Sequence, residues 1–235
     1  MKIKSQVILL ILFVYGNLNS QLNFIQRCNL KLVDVMVIDI FSPLVASRNL
    51  VYPNIAAYEV LTSNNNSYQT LSGQIRHMPI ILEPSKPIDR EFAAQVAFLK
   101  TANAFIYSED ILDDFLRDDS IKLVSRSMDP NLIRNSYLFG VQVAKQIIDW
   151  SKKDNYAYTR TLHRYELADS SSAWTPTPPE YQNGLEPNWK HIRKMTMDST
   201  QFIPSVSCVP FSMDSSSQFY KHAYLVYQTA KNPTQ

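Results

Sequence analysis

Residues 39–61 read "DIFSPLVASRNLVYPNIAAYEVL". The stretch is apolar enough for a core and carries two prolines, yet it keeps a helical pattern throughout. Beyond Asp39 its only charges are Arg48 and Glu59. Ser42 followed by Pro43 predicts a helix start: serine caps free amides, and proline at the first helical position lacks the amide that would go unpaired anyway. Pro53 disfavours helical geometry at Tyr52, so the stretch is one kinked helix or two in series. Ile55, Ala56, Tyr58 and Leu61 continue an apolar face, and Ala46, Ala56 and Ala57 would let a neighbour approach closely. Just upstream, Leu30, Val33, Val37, Ile40 and Phe41 recur at helical spacing, with Lys31, Asp34 and Asp39 off that stripe. So little reactive chemistry on so apolar a helix reads as scaffold.

Working outward, "TSNNNSYQTLSG" over 62–73 is a polar loop, and Pro79, Pro84 and Pro87 mark an extended connection. A helix is predicted from Ile88 to about Tyr107, supported by Phe92, Val96, Leu99 and Asn103. Ser108, Glu109 and Asp110 open another, with acidic groups at its positive end and a stripe of Ile111, Leu112, Phe115 and Leu116. Pro130 starts a helix to about Trp150, with Ile133, Tyr137, Val141, Ala144 and Ile148 on one side. The prediction is an all-α, antiparallel helical bundle, with a helical scaffold over 21–153. Residues 154–213 form a long proline- and tryptophan-rich irregular segment, read as a wrap over the bundle. A terminal helix over 214–235 has Asp214 as its cap and Phe219, Ala223, Val226 and Tyr227 on one side.

Composition agrees with helices broken by proline. The 235 residues are 45% hydrophobic and 19% charged, with net charge +2, enough for one ordinary globular domain or two small ones. That charge gives no case for nucleic acid, which needs a concentrated basic face. Four glycines against 13 prolines disfavour glycine-rich phosphate loops and hairpin-rich sheets. Residues 1–20 have the form of a secretory signal. Lys2 and Lys4 precede the apolar run Val7–Tyr15, and Leu18 and Ser20 stand at the −3 and −1 positions for cleavage before Gln21. The run is short for a membrane span, which needs roughly 20 apolar residues. An exported, soluble protein, periplasmic or secreted and free of the membrane after cleavage, is expected; a retained anchor is the other reading. Cys28 and Cys208 are expected as two buried free thiols, though export permits a bridge.

No established catalytic pattern is present: no GxSxG, HExxH, P-loop or dinucleotide fingerprint. His77, His163, His191 and His222 are scattered. Asp113, Asp114, Asp118 and Asp119 read as the solvated face of a helix. Lys152, Lys153, Arg160, His163, Arg164, Lys190, His191, Arg193 and Lys194 could attract an oxyanion, but surface solvation is the simpler reading. Trp174, Trp189 and Tyr181 could line a pocket, or anchor the loop on the bundle.

Three stretches carry a resemblance: "DIFSPLVASRNLVYPNIAAYEVL", "WTPTPPEYQNGLEPNWKHIR" (174–193) and "FSMDSSSQFYKHAYLVY" (211–227). In order and approximate spacing they resemble the front half of exported bacterial proteins of the vanadium-dependent haloperoxidase and type 2 phosphatidic acid phosphatase superfamily. The resemblance implies an all-helical fold. It also implies, for the complete family, vanadate or phosphate held by a lysine, arginines, a Ser-Gly-His turn and a final histidine, serving halide oxidation by peroxide or phosphate ester hydrolysis. This sequence contains no Arg-Pro and no Ser-Gly-His; its only Ser-Gly, Ser72-Gly73, is followed by Gln74. No catalytic, cofactor-binding or metal residue of the family maps onto any position, so no cofactor is expected in this chain. The expectation is a truncated scaffold, inactive alone, with exposed apolar faces that favour self-association or a separately encoded catalytic half. Its rival is an exported helical binding protein that uses the Trp174–Trp189 loop.

Overall fold

The computed structural model describes residues 23–63, 67–125, 129–164, 166–168, 170–197 and 207–231. The expected signal over 1–20 lies outside them. Among the described residues seven α-helices follow one another: α1 Phe24–Ile38, α2 Pro43–Thr62, α3 Arg90–Asn103, α4 Glu109–Ser125, α5 Pro130–Ser151, α6 Tyr156–Thr159 and α7 Gln218–Lys231. A single 3-10 turn spans Trp189–His191, and no strand occurs among the described residues. The fold is all-α, as the periodicity predicted. No helix among the described residues is long and apolar enough to cross a membrane.

Helix α3 is the axis of the bundle. It packs most extensively on α2 and α5, and also meets α1 and α4. Phe92, Ala93, Ala94, Val96, Ala97, Phe98, Leu99 and Ala102 are all buried, so the helix is apolar nearly all round, as a central helix must be. Its start lies two residues later than expected: Asp89 is the cap, accepting from Phe92 N at 2.8 Å, while its own N–H donates to Ser136 Oγ at 2.8 Å. That second bond ties the helix start to α5.

The quoted stretch forms one helix, α2, running unbroken through the buried Pro53. Asn54, next to that proline, donates to Leu50 O at 2.9 Å, and its side-chain amide pairs reciprocally with Asn29 of α1. Ser42 does precede the helix, but its hydroxyl makes no capping bond and finds no partner among the described residues. The expected cap is thus reduced to Pro43 at the first helical position. Glu59, the helix's one acid, is buried and accepts from Thr70 Oγ1 at 2.6 Å and Leu71 N at 2.7 Å, which pins the loop after α2.

Two predicted stripes are displaced. On α1 the buried residues are Cys28, Leu32, Val35 and Met36, whereas Leu30, Val33, Val37 and Ile40 are exposed. On α5 the core side is Ser136, Phe139, Gly140, Val143, Ala144, Ile147 and Trp150, while Tyr137 is exposed and Val141 and Ile148 are half-buried. The reason on α5 is close approach. A Cβ on Gly140 would stand 2.5 Å from Ala93 O and 2.8 Å from Val96 Cβ, so the two backbones nearly touch there. Small residues mark such a contact, and a search for large apolar side chains misses them. On α4 the predicted stripe holds, with Leu112 and Leu116 buried.

Helix α7 begins later than expected. Asp214 accepts from Ser216 instead of capping the helix, and Ser217 Oγ accepts from Tyr220 N at 3.1 Å. None of its side chains is buried. The cysteines are both free, but only Cys28 is buried; Cys208 is exposed, contrary to expectation. Burial, helped by nearby Asp119 and opposed by Arg27, pushes the Cys28 thiol up to about 12.

Two outcomes test this packing. Gly140→Val should lower unfolding free energy by about 1–3 kcal/mol through overpacking against α3, measured by denaturant unfolding. A thiol reagent at neutral pH should modify one cysteine in the native protein and both after denaturation; two fast thiols in the native state would contradict the burial of Cys28.

Candidate functional site

The densest polar constellation lies where α2, the end of α5 and the irregular segment meet. Arg48 and Tyr52 are four residues apart on α2 and so share a face. Asp154 follows α5 and is 1% exposed. Its Oδ2 accepts from Arg48 Nε at 2.7 Å and from Tyr52 Oη at 2.8 Å, and its Oδ1 accepts from Tyr156 N at 2.9 Å. The Arg48 guanidinium lies over three rings, Tyr156 at 4.3 Å, Phe105 at 5.0 Å and Tyr52 at 5.3 Å. A charge this buried is sustained by a carboxylate and by ring faces together.

Arg193 joins from the far end of the segment. Its backbone N–H donates to Asp154 O at 2.9 Å, its Nη2 donates to Trp150 O at 2.9 Å, and its guanidinium lies 4.4 Å over the Trp150 ring. Arg160 forms an ion pair with Glu186 and stacks on the other side chain of the cluster, Tyr156, at 4.6 Å. Asn155, with φ 71°, takes the left-handed turn that asparagine tolerates and donates to His191 O at 3.0 Å. The segment is thereby fastened to the bundle at Asp154 and again at residues 186–193.

A cleft of about 380 Å³ opens beside this cluster, lined by Phe41, Arg48, Phe105, Tyr107, Lys152 and Tyr156 among others. Burial first, then the Asp154 charge, raises the Tyr52 hydroxyl well above the ordinary phenol value, so it stays a hydrogen-bond donor.

The residues singled out from sequence fare differently. The acidic helix face is not simply solvated. Asp119 is only 8% exposed and accepts from Gln95 at 2.6 Å, Lys122 at 2.9 Å and Arg27 at 3.4 Å, joining α1, α3 and α4. Burial raises its carboxyl, but the bonds from Lys122 and Gln95 outweigh that and leave it below the usual range. Asp113 accepts from Lys100 and Asn103, and Asp114 pairs with Arg117. Among the described residues no group of three or more His, Cys, Asp and Glu side chains could hold a metal ion. Trp174 and Tyr181 are exposed at 50% and 62%, so neither anchors the loop on the bundle. Of the basic residues, Arg193 is brought into the cluster, a correction to surface solvation, whereas Arg160 stays exposed in its pair with Glu186. Sequence reasoning missed Arg48 and Asp154 as partners. The signal was a lone arginine on an apolar helix, which demands a buried counter-charge.

The fold so described is haloperoxidase-like. The chain is similar to a solved structure described as the first bacterial vanadium-dependent iodoperoxidase, with 38% sequence identity and a TM-score of 0.80. The match covers 90% of this chain and 52% of that one, so this chain spans about half the length of the iodoperoxidase. No protein-family model and no curated protein matches the sequence.

Vanadate, which that fold implies, needs converging cationic donors and a histidine nitrogen. The arginines of the Asp154 cluster do not fit it. The guanidinium of Arg48 is committed to Asp154, that of Arg160 to Glu186 and that of Arg193 to Trp150. His191 stands edge-on to Tyr158, and His222 lies exposed on α7. His77 shares one cleft with Lys153, Arg193 and Asp149, and another of about 840 Å³ with Arg76 and Lys194.

Asp154→Ala should leave Arg48 buried without its counter-charge and cost about 3–5 kcal/mol of stability. Denaturant unfolding checks this, and Asp154→Ala combined with Arg48→Met should recover part of the loss; a neutral single substitution would contradict the clamp.

Proposed function

We propose that this chain supplies the helical scaffold of a vanadium-dependent haloperoxidase-like protein and is inactive on its own. The observation that carries the reading is the likeness to the iodoperoxidase, at 38% identity over 90% of this chain, together with the absence of any Arg-Pro or Ser-Gly-His in its sequence. The iodoperoxidase neighbour favours halide oxidation over phosphate ester hydrolysis as the chemistry of the complete protein. Vanadate, where bound, would supply activation of peroxide; this chain's own part is to hold the bundle and fasten the irregular segment across it through Arg48, Asp154 and Arg193. The apolar run over 7–15 after Lys2 and Lys4 supports export as the route by which the protein reaches its place of action.

The purified chain, mixed with orthovanadate, peroxide and iodide or bromide, should oxidise halide no faster than vanadate alone. Vanadium NMR should show no bound resonance. Clear turnover by this chain alone would sink the proposal.

A further inference from the structure

A cleft of about 840 Å³ lies between the loop over 70–80 and residues 194–197. That volume falls within the roughly 300–1,000 Å³ of small-molecule pockets. Both walls are fastened. Buried Glu59 accepts from Thr70 Oγ1 and Leu71 N, Ser72 Oγ donates to Pro79 O at 2.5 Å, and Gln74 N and Ile75 N both donate to Leu71 O at 3.0 Å. Opposite, Arg193 N donates to Asp154 O, and Met195 packs against the core. Extended backbone sends successive side chains to opposite faces, yet Arg76, His77 and Met78 all line this cleft. The left-handed turn at His77, with φ 56°, breaks that alternation. Strain of this kind in a non-glycine residue persists only where the surroundings fix it.

The lining combines two chemistries. Arg76, His77 and Lys194 are basic, and no acidic side chain among the described residues lines the cleft. The adjoining cleft shares His77 and adds Lys153 and Arg193, while its Asp149 is engaged by Lys152. The other chemistry is methionine: Met78, Met195 and Met197 line the cleft, three of the seven in the sequence. Met197 is 44% exposed, so core packing does not account for it. A thioether conforms to irregular apolar bodies and attracts aromatic rings. We propose that this cleft binds a small aromatic carboxylate, its ring against the methionines and its carboxylate on Arg76 and Lys194. The planar guanidinium of Arg76 matches a carboxylate edge bidentately, and Lys194 adds a second positive charge. The inference goes beyond the haloperoxidase-like reading and does not rest on it, since it needs neither vanadate nor a catalytic half.

Isothermal titration of the full chain with naphthalene-2-carboxylate as probe should show one saturable site, with a dissociation constant below about 1 mM. Arg76→Gln with Lys194→Gln should weaken binding at least about tenfold and remove its salt dependence. Met197→Ser should weaken it about fivefold and leave that salt dependence in place. Lys221→Gln with Lys231→Gln, which removes the same charge from α7, should change nothing. Arg76, Lys194 and Met197 are exposed, so the thermal transition of the bundle should hold, which separates a lost site from a lost fold. In the unsubstituted chain, the methyl resonances of Met78, Met195 and Met197 should shift on titration, and that of Met36, buried on α1, should not. Equal binding of 2-naphthalenemethanol would mark a bare apolar patch, and equal binding of inorganic phosphate a bare anion site; either overturns the proposal. So does the lack of any saturable binding, or shifts confined to other methionines.

Discussion

A guanidinium enclosed by three aromatic rings is stable only if a carboxylate meets it, and here the carboxylate lies 106 residues along the chain. The Arg48–Asp154 contact therefore does more than close a charge. It fixes the end of α5 against the middle of α2, and through Tyr156 N and Arg193 N it carries the irregular segment with it. Tyr52 is held in the same contact by donating to Asp154, and its ring in turn packs on Phe105 and Trp150. Polar and aromatic layers are thus one structure, with each side chain's position conditional on the others.

The bundle beneath it depends on a different constraint, backbone proximity. Ala93, Val96 and Gly140 bring α3 and α5 close enough that no Cβ fits at position 140. Close approach decides which face of α5 turns inward, and that face includes Ser136, whose hydroxyl accepts from Asp89 N and donates to Leu132 O. A polar residue and a glycine therefore sit where a reading of large apolar side chains would place neither. On α1 a polar contact does the joining: Asp119 of α4, near the buried Cys28, accepts from Arg27 of α1 and Gln95 of α3.

Helices α3 and α7 stand in contrast. Both have fourteen residues; one is buried nearly all round, the other not at all. The cluster at Asp154, by contrast, has both carboxylate oxygens of Asp154 matched within the chain, while Trp150 Nε1 finds no partner among the described residues.

From the sequence alone, the existence and order of the main helices could be read, because capping residues, prolines and helical periodicity are local physics. The order of three distinctive stretches pointed to the haloperoxidase-like fold for a different reason, resemblance. The faces of α1 and α5, the burial of Asp119 and the partner of Arg48 could not be read that way. Periodicity finds an apolar stripe but cannot say which of two stripes has a neighbour, and α1 exposes the one that looked stronger. Nor can local pattern pair an arginine with one aspartate among many across 106 residues. Those choices belong to the tertiary structure, since only packed helices determine where backbones touch and which charges lose their water.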